Sequence, residues 1–204
     1  MEDNVYYDEF NSIHPTAIIH HNAKIGKGNT IGPYSVIHDG VTIGDNNEIG
    51  SFVVIGGRGE IRKANEFKGE IIIGDNNLIN HHVTIDKSID GNTIIGSSNF
   101  IMTKAHLGHD VKLANNITIS SGVNIGGHVK IYSHANVGLN AEIHQRLRIG
   151  QGAMVGMGSS ITKDVYPFIK IVGVNRIIGY NDKKIKELDL SMREVRKLGR
   201  EFGE

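Results

Sequence analysis

An aliphatic residue returns at every sixth position along most of this chain. One unbroken run covers residues 13–55 and a second covers 95–161, with small and polar residues between the aliphatic positions. A period of six fits neither the roughly 3.6-residue turn of an α-helix nor the two-residue alternation of a strand, but it is typical of a hexapeptide β-solenoid. Three hexads form one triangular coil, so residues 18 apart in the sequence lie above one another. The pattern predicts an all-β parallel β-helix in which Ile13 lies under Ile31 and Ile31 under Ile49.

Small and polar residues mark the predicted corners of these coils. Glycine, asparagine and aspartate recur between the aliphatic positions, for example at 27–29, 45–47 and 75–77. These residue types tolerate positive φ and tight turns. With coils stacked about 4.8 Å apart, we expect roughly eight coils in a prism about 35 Å tall.

Two segments interrupt the repeat and predict loops. The segment 58–70 is highly charged and is expected to leave the solenoid. Ile85 and Ile95 are ten residues apart instead of six, so extra residues around 88–91 predict a second, smaller loop. The sides of a solenoid are flat, so we expect a pocket to form at these loops, at an end, or against a neighbouring protomer.

The repeat stops after Ile161, and the tail shows helical spacing. Apolar residues at this spacing predict a terminal helix within 182–202 that covers the open end of the solenoid: Ile185, Leu188, Met192, Val195 and Leu198. Ser191 and Glu194 have the spacing of a capping box, where a fresh helix can start. We expect a β-helix domain over 1–172, with loops near 57–72 and 86–94, and a C-terminal connector and helix over 173–204.

Composition and charge narrow the class of protein. The 204 residues suit one domain, and a formal net charge of zero gives no argument for a nucleic-acid or membrane-surface partner. The absence of cysteine excludes a disulfide framework and a thiolate nucleophile. No apolar run reaches about 18 residues, and the first four residues differ from the start of a signal peptide. We therefore expect a cytoplasmic protein without a membrane span.

Histidines are concentrated in one part of the solenoid. Five of the 11 histidines fall within 104–145, and four of these are predicted to form a band two or three coils high: His106, His109, His128 and His144. Five histidines are interpreted as surface residues: His14, His20, His21, His38 and His134. His109 is followed by Asp110 and faces the Gly126-Gly127 turn one coil above. This arrangement offers a base and backbone N–H donors, which are the groups that acyl transfer needs.

The same motifs resemble, in order, those of the UDP-N-acetylglucosamine acyltransferases that open lipid A synthesis. The residues concerned are Lys104-Ala105-His106-Leu107-Gly108-His109-Asp110, Gly126-Gly127-His128-Val129 and Ile143-His144-Gln145. The resemblance covers nearly the whole solenoid. It implies a left-handed β-helix and a homotrimer with its clefts between protomers.

The resemblance also implies a reaction and roles for individual residues. An acyl group would pass from an acyl carrier protein thioester, without a metal or bound cofactor, to a hydroxyl of a UDP-N-acetylglucosamine-type sugar nucleotide. His109 would act as general base, Asp110 would orient it, and the Gly127 N–H would stabilise the oxyanion. Further residues would hold the sugar nucleotide or the thioester: Lys63, His106, His128, His144, Gln145 and Asn181.

Three positions differ from the family's pattern and leave the substrate open. Ile61 stands where the family has a sugar-contacting aspartate, and Glu187 stands where it has an arginine that contacts the nucleotide. Met157 aligns with the residue that limits the acyl groove and would favour a shorter acyl group, although a methionine also fills ordinary gaps.

Other functions stay open at this point. One alternative is a sugar-nucleotide N-acyltransferase that uses acetyl- or acyl-coenzyme A. A more remote one is a γ-type carbonic anhydrase, which binds zinc through three histidines between protomers. A non-catalytic scaffold is the last, but it would leave the grouping of His109, Asp110 and Gly127 without an explanation.

Overall fold

The computed structural model describes residues 10–62 and 68–203. In these ranges the chain winds as a left-handed parallel β-helix with three flat faces, which confirms the predicted fold class. Successive strands occupy the first, second and third face in turn, and each pairs with the strand of the same face one coil away. A short α-helical tail follows the last coil.

The strands are short because one side of a coil is only one hexad wide. The first face holds ten strands: β1 (Ser12–Ile13), β4 (Thr30–Ile31), β7 (Glu48–Ile49), β10 (Leu78–Ile79), β13 (Phe100–Ile101), β16 (Thr118–Ile119), β19 (Asn136–Val137), β22 (Met154–Val155), β24 (Ile169–Val172) and β25 (Arg176–Tyr180). The second face holds eight: β2 (Ile18–Ile19), β5 (Val36–Ile37), β8 (Val54–Gly57), β11 (Thr84–Asp86), β14 (His106–Leu107), β17 (Asn124–Ile125), β20 (Glu142–Ile143) and β23 (Ser160–Ile161). The third face holds seven: β3 (Lys24–Ile25), β6 (Val41–Ile43), β9 (Ile71–Ile73), β12 (Thr93–Ile95), β15 (Lys112–Leu113), β18 (Lys130–Ile131) and β21 (Arg148–Ile149).

The core is a column of stacked aliphatic side chains. Ile13 pairs in register with Ile31, and Ile31 pairs with Ile49, as the six-residue period predicts. All three side chains are buried. Burying each such side chain stabilises the fold by about 1.5–3 kcal/mol. The hexad pattern therefore specifies both the path of the chain and the main source of its stability.

Asparagines take two different roles at the corners. Asn46 and Asn76 adopt positive φ, as a tight corner requires. Asn29, Asn47 and Asn77 are buried instead, and their amides form a ladder in which Asn47 Nδ2 donates to Asn29 Oδ1 at 3.0 Å and Asn77 Nδ2 donates to Asn47 Oδ1 at 2.9 Å. The interpretation of corner asparagines as turn formers was wrong for these three, because their amides satisfy one another inside the solenoid.

Two coils are longer than the rest. Ile43 pairs with Ile73, 30 residues further on, because the segment between β8 and β9 leaves the solenoid. Ile79 pairs with Ile101, and this separation of 22 residues exceeds the usual 18 by four. The first of these loops contains Lys63, which lies outside the described residues.

The solenoid is one coil longer than the sequence pattern indicates. Its first face has nine parallel strands, and only β25 on that face runs antiparallel. The hexad pattern ends near residues 163–167, yet Val155 on β22 still pairs in parallel with Ile171 on β24. The expected number of roughly eight coils was too low, because the aliphatic spacing changes in the last coil while the hydrogen-bond pairing continues.

The tail forms two helices, α1 (Asp182–Glu187) and α2 (Met192–Gly203), and the second is the fresh helix that can start at the capping box. The break between them falls at Ser191. The Ser191 backbone N–H donates to the Glu194 carboxylate at 2.8 Å, and the Ser191 hydroxyl accepts from the Glu194 N–H at 3.3 Å. This reciprocal pair is the predicted capping box.

The apolar stripe of the helices packs on the end of the solenoid. Ile185 and Val195 are buried against Phe168, which is itself fully buried. Met192 was expected to join them, but 38% of it is exposed. Neither α1 nor α2, which are the helices of the described chain, is long and apolar enough to cross a bilayer.

Candidate active site

A cavity of about 610 Å³ lies along the edge where the second face turns into the third. The residues that follow β11, β14, β17 and β20 meet there, because each stands at the same corner of successive coils. Its lining includes half of the site residues predicted from the sequence: His106, His109, Gly127, His144 and Gln145. The cavity therefore assembles groups that are up to 39 residues apart in the chain.

His109 and Asp110 form a hydrogen-bonded pair beside this cavity. The two atoms that meet are His109 Nδ1 and Asp110 Oδ2, 2.8 Å apart. The Asp110 side chain is buried, whereas 13% of the His109 side chain is exposed. An ionised carboxylate can only accept a hydrogen bond, so Nδ1 carries the proton and Nε2 remains an acceptor. His109 thus has the tautomer that a general base needs.

The four-residue insertion of the preceding coil holds the Asp110 carboxylate. The Ile89 N–H donates to Oδ2 at 3.1 Å, and the Gly91 N–H donates to Oδ1 at 2.9 Å. The backbone N–H of Asp110 donates to Thr93 Oγ1 at 3.0 Å, and that hydroxyl lies 2.9 Å from the Ser88 hydroxyl. The insertion therefore fixes the carboxylate that orients His109.

These hydrogen bonds decide the ionisation of Asp110. Burial acts to raise its pKa, but the bonds from His109, Ile89 and Gly91 together bring the pKa below its ordinary value. The carboxylate is therefore charged at neutral pH. Because the pKa of Asp110 is lower in the folded state, its charged carboxylate stabilises the fold above the unfolded pKa of about 3.9. This stabilisation is lost as the pH falls through the folded pKa.

We expect Asp110→Asn to lower kcat by about 10²–10⁴-fold, because an amide no longer fixes the proton on His109 Nδ1. Asparagine tolerates the positive φ of position 110, so the backbone should be preserved. The variant should also melt at a lower temperature than the parent at pH 7, and this difference should shrink at about pH 3. A difference in melting temperature that grows toward acid pH would contradict the assigned ionisation.

Gly127 lies one coil above His109, against its ring. A Cβ at this position would lie 2.6 Å from His109 Nε2, so only glycine leaves the ring where it is. No residue in the described ranges accepts a hydrogen bond from the Gly127 N–H. This N–H therefore remains available to a substrate oxygen next to the base.

His128 stands over Asp110, as 18-residue stacking predicts. Its Nε2 is 3.9 Å from Asp110 Oδ2 and 3.9 Å from Asp90 Oδ2. The His128 ring meets the His109 ring edge to face, with centroids 4.9 Å apart. Burial lowers the pKa of His128, against the opposing effect of the Asp110 charge, so the ring is mostly neutral at pH 7.

Asp86 is a site residue that the sequence reasoning missed. It lies one coil below Gly108, and its Oδ2 is 3.8 Å from His106 Nε2. The other nitrogen of His106, Nδ1, is 2.8 Å from the Thr84 hydroxyl. The spacing of ten residues between Ile85 and Ile95 was the signal that could have placed Asp86, because it shifts the coil-to-coil separation to 22.

Other predicted site residues lie in different places. His144 is exposed and its Nδ1 is 3.2 Å from the Gln145 carbonyl oxygen, at the upper end of the cavity. Met157 is 74% exposed and is absent from the cavity lining. Asn181 is buried, donates from Nδ2 to the Gly152 carbonyl at 2.9 Å, and caps α1. Within one protomer, the cavity therefore does not include Met157 or Asn181.

One group of side chains in the described chain has the composition of a metal site. The potential ligand atoms of His109, Asp110 and His128 lie within 4.8 Å of one another. This set has two histidines and one carboxylate, unlike the three histidines of the carbonic anhydrase alternative. An ion between them would have to break the hydrogen bond from His109 to Asp110, which orients the base.

Comparison with curated sequences links this chain to one group of enzymes. The family model for bacterial transferase hexapeptide (six repeats) matches residues 22–57. The acyl-[acyl-carrier-protein]–UDP-N-acetylglucosamine O-acyltransferase of Syntrophobacter fumaroxidans is 43% identical over 122 residues, which cover 57% of this chain and 47% of that relative. The enzyme of the same name from Thermodesulfovibrio yellowstonii is 46% identical over 46 residues, 21% of this chain and 18% of the relative. The matches thus span less than half of either curated relative.

Solved structures match over much more of the chain. LpxA from Acinetobacter baumannii is 31% identical, with a TM-score of 0.81 over 93% of this chain and 82% of that structure. The UDP-N-acetylglucosamine acyltransferase from Campylobacter jejuni is 29% identical, with a TM-score of 0.79 over 94% of this chain and 83% of that structure. The aligned length therefore extends well beyond the segments matched in the curated sequences.

Proposed function

This chain belongs to the UDP-N-acetylglucosamine acyltransferase family, and on that premise we propose that it transfers an acyl group from a carrier thioester to the sugar of a UDP-N-acetylglucosamine-type nucleotide. The observation that carries the proposal is the His109–Asp110 pair, with its unprotonated Nε2 beside the Gly127 N–H. The curated relatives are named as O-acyltransferases that use acyl carrier protein. A sugar hydroxyl is accordingly the acceptor that their names suggest.

The geometry supports a direct transfer in two steps. His109 Nε2 takes the proton of the acceptor while the acceptor attacks the thioester carbonyl carbon, and the Gly127 N–H donates to the oxyanion. The C–S bond then breaks, and His109 returns the proton to the leaving thiolate. The base contributes about 10²–10⁴-fold and the oxyanion donor about 10²–10³-fold.

Substrate contacts are assigned to the remaining side chains around the cavity. His106, His144 and Gln145 line it and offer ring and amide groups to the sugar nucleotide or the thioester arm. His128 stands behind them, within reach of Asp110 and Asp90. Lys63 and Asn181 are proposed as contacts through the family resemblance, Asn181 from a neighbouring protomer.

Product analysis tests this function. Purified protein should be incubated with UDP-N-acetylglucosamine and either acyl carrier protein or coenzyme A carrying the same acyl group, and the products weighed by mass spectrometry. We expect the sugar nucleotide to gain one acyl group, with the carrier protein as the better donor. No gain in mass with any donor or acceptor would overturn the proposal. Faster transfer from the coenzyme A thioester would indicate that coenzyme A, and not the carrier protein, is the donor.

A homotrimer is part of the proposal. The outer side of the first coils is apolar and open: Ile18 is 43% exposed, Tyr34 57% and Phe52 47%. Tyr34 and Phe52 stack with centroids 5.1 Å apart, and both adopt positive φ, which is costly for bulky residues. Exposed aromatic side chains in such a conformation support a surface that another protomer covers.

Met157 is proposed to limit the length of the acyl chain. Because it is exposed in a single protomer, it would act on a groove completed by a neighbour. We expect Met157→Gly to shift the preferred donor to a longer acyl chain by changing kcat/KM about 10-fold or more. Competition between donors of two lengths, read by mass, measures this ratio, and an unchanged ratio would contradict the role.

A further inference from the structure

A buried carboxylate that the proposed reaction does not use borders the cavity. Asp86 is only 7% exposed, and it belongs to the cavity lining. Its Oδ2 accepts from the Glu60 N–H at 3.3 Å and lies 3.8 Å from His106 Nε2. Within residues 10–62 and 68–203, no group donates a hydrogen bond to Oδ1. Within the described residues, Asp86 thus presents a carboxylate to the cavity.

The described lining of the cavity is acidic. Three carboxylates, those of Glu60, Asp86 and Glu142, line the cavity, and its described lining contains neither lysine nor arginine. Burial raises the pKa of Asp86, although His106 and the hydrogen bond from the Glu60 N–H oppose that rise. The carboxylate is therefore unfavourably placed in the free protein, and a bound cation would offset its desolvation.

We infer that Asp86 directs this site toward an acceptor sugar whose nucleophile is a primary amine, so that the product is an amide. The inference rests on the acyl transfer by His109 proposed above and names the chemical class of its acceptor. Asp86 stands one coil below Gly108, the residue before His109, and both side chains line the same cavity, so a nucleophile at His109 Nε2 is within its electrostatic reach.

The charge that develops on the nucleophile separates the two acceptor classes. An amine gains positive charge as it attacks a carbonyl, and a nearby carboxylate stabilises that charge in the transition state. A hydroxyl that gives up its proton gains negative charge instead, which the same carboxylate disfavours. Asp86 therefore acts in opposite directions on the two reactions.

The proposed step balances with the groups at hand. The acceptor arrives as an ammonium ion and loses one proton to solvent, which makes the nitrogen nucleophilic. The nitrogen then forms a C–N bond to the thioester carbon, His109 Nε2 takes the second proton, and the C–S bond breaks. His109 passes its proton to the thiolate, so the products are an amide, a thiol and one released proton.

Matched acceptors test the inference. The purified full chain should be given acyl carrier protein thioester with UDP-N-acetylglucosamine, and with analogues that carry an amine in place of the 3-, 4- or 6-hydroxyl. We expect one amino analogue to have a kcat/KM at least about 10-fold above the parent sugar. Its product should survive mild base, which hydrolyses esters but not amides.

The variant Asp86→Asn identifies the residue responsible. We expect it to lower kcat/KM for the amino acceptor by about 10- to 100-fold and to raise that for the hydroxyl acceptor, whose developing negative charge the carboxylate disfavours. The matched control is Glu142→Gln, which removes an exposed carboxylate of the same lining and should change the ratio of the two acceptors less. An equal loss of kcat/KM with the amino and the hydroxyl acceptor would overturn the role of Asp86.

A thermal melt shows that the comparison is made on folded protein. The pKa of Asp86 is raised in the fold, so the charged group lowers stability above that pKa and has no effect below the unfolded pKa of about 3.9. Asp86→Asn should therefore melt at a higher temperature than the parent at pH 7, with the gain vanishing near pH 3.

The two proposals fail in different ways. Transfer to the hydroxyl acceptor with little or none to any amino analogue would overturn this inference and leave the proposed function standing. Transfer to none of the acceptors would remove both. Faster transfer to an amino analogue, lost selectively in Asp86→Asn, supports both.

Discussion

His109→Ala is expected to lower kcat by about 10²–10⁴-fold while the protein remains folded. The substitution removes the group that takes the acceptor's proton, and the three atoms nearest to a Cβ built at Gly127 all belong to that ring. Asp110 keeps its two backbone donors, Ile89 and Gly91, so its buried charge stays paired. The fall in melting temperature should therefore be modest. Steady-state kinetics with a thioester donor and a thermal melt measure both quantities.

The matched control is His21→Ala. His21 is the second residue after β2, as His109 is the second after β14, so both stand at the same corner of the solenoid. Its side chain is 83% exposed, and its ring lies 3.9 Å from Asp39. This variant should keep full activity. If His109→Ala retained half of the parent's turnover, the base would lie elsewhere, and if it failed to fold, the ring would be structural.

Gly127→Ala is expected to lower kcat by about 10²-fold or more, because the added methyl group would displace the catalytic ring. The new Cβ would lie 2.6 Å from Nε2, 2.7 Å from Cε1 and 3.0 Å from Cδ2 of His109. The backbone of Gly127 has no positive φ, so alanine itself is not strained there. A misplacement of about 1 Å is enough to cost a reaction 10²-fold. Two measurements test this prediction: kcat of the variant, and the distance between the His109 ring and residue 127 in a crystal structure of the variant.

Gly199→Ala controls for the change from glycine to alanine. A Cβ at Gly199 meets nothing within 4 Å, and the residue lies inside α2. We expect unchanged kinetics and a stability gain of about 0.5–1 kcal/mol, since glycine inside a helix is unfavourable. Full activity in Gly127→Ala would show that the ring yields to the methyl group at no cost to the reaction.

Stacking of the coils explains how much of the site could be predicted. His109 and Asp110 are neighbours in sequence, and His128 follows Asp110 by one regular coil, so periodicity alone brings these three together. Gly127 was placed for the same reason. Asp86 was not found, because it precedes the inserted residues, where the separation between coils is 22 residues and a fixed step of 18 leads to the wrong neighbour.

The tail shows the same division between local and long-range information. The capping box at Ser191 was readable because it depends only on residues three apart. The ninth parallel strand, β24, was not, since its hydrogen bonds to β22 persist after the aliphatic spacing has changed.

The sequence by itself determined the solenoid, its buried aliphatic column and the order of the histidine motifs, because each repeat carries its own pattern of inward and outward positions. Only the tertiary structure decided which loop atoms hold Asp110 and that the Asp86 carboxylate enters the cavity. Those contacts join segments whose separation is set by inserted residues. The path of an insertion depends on what it packs against, and no periodic pattern encodes it.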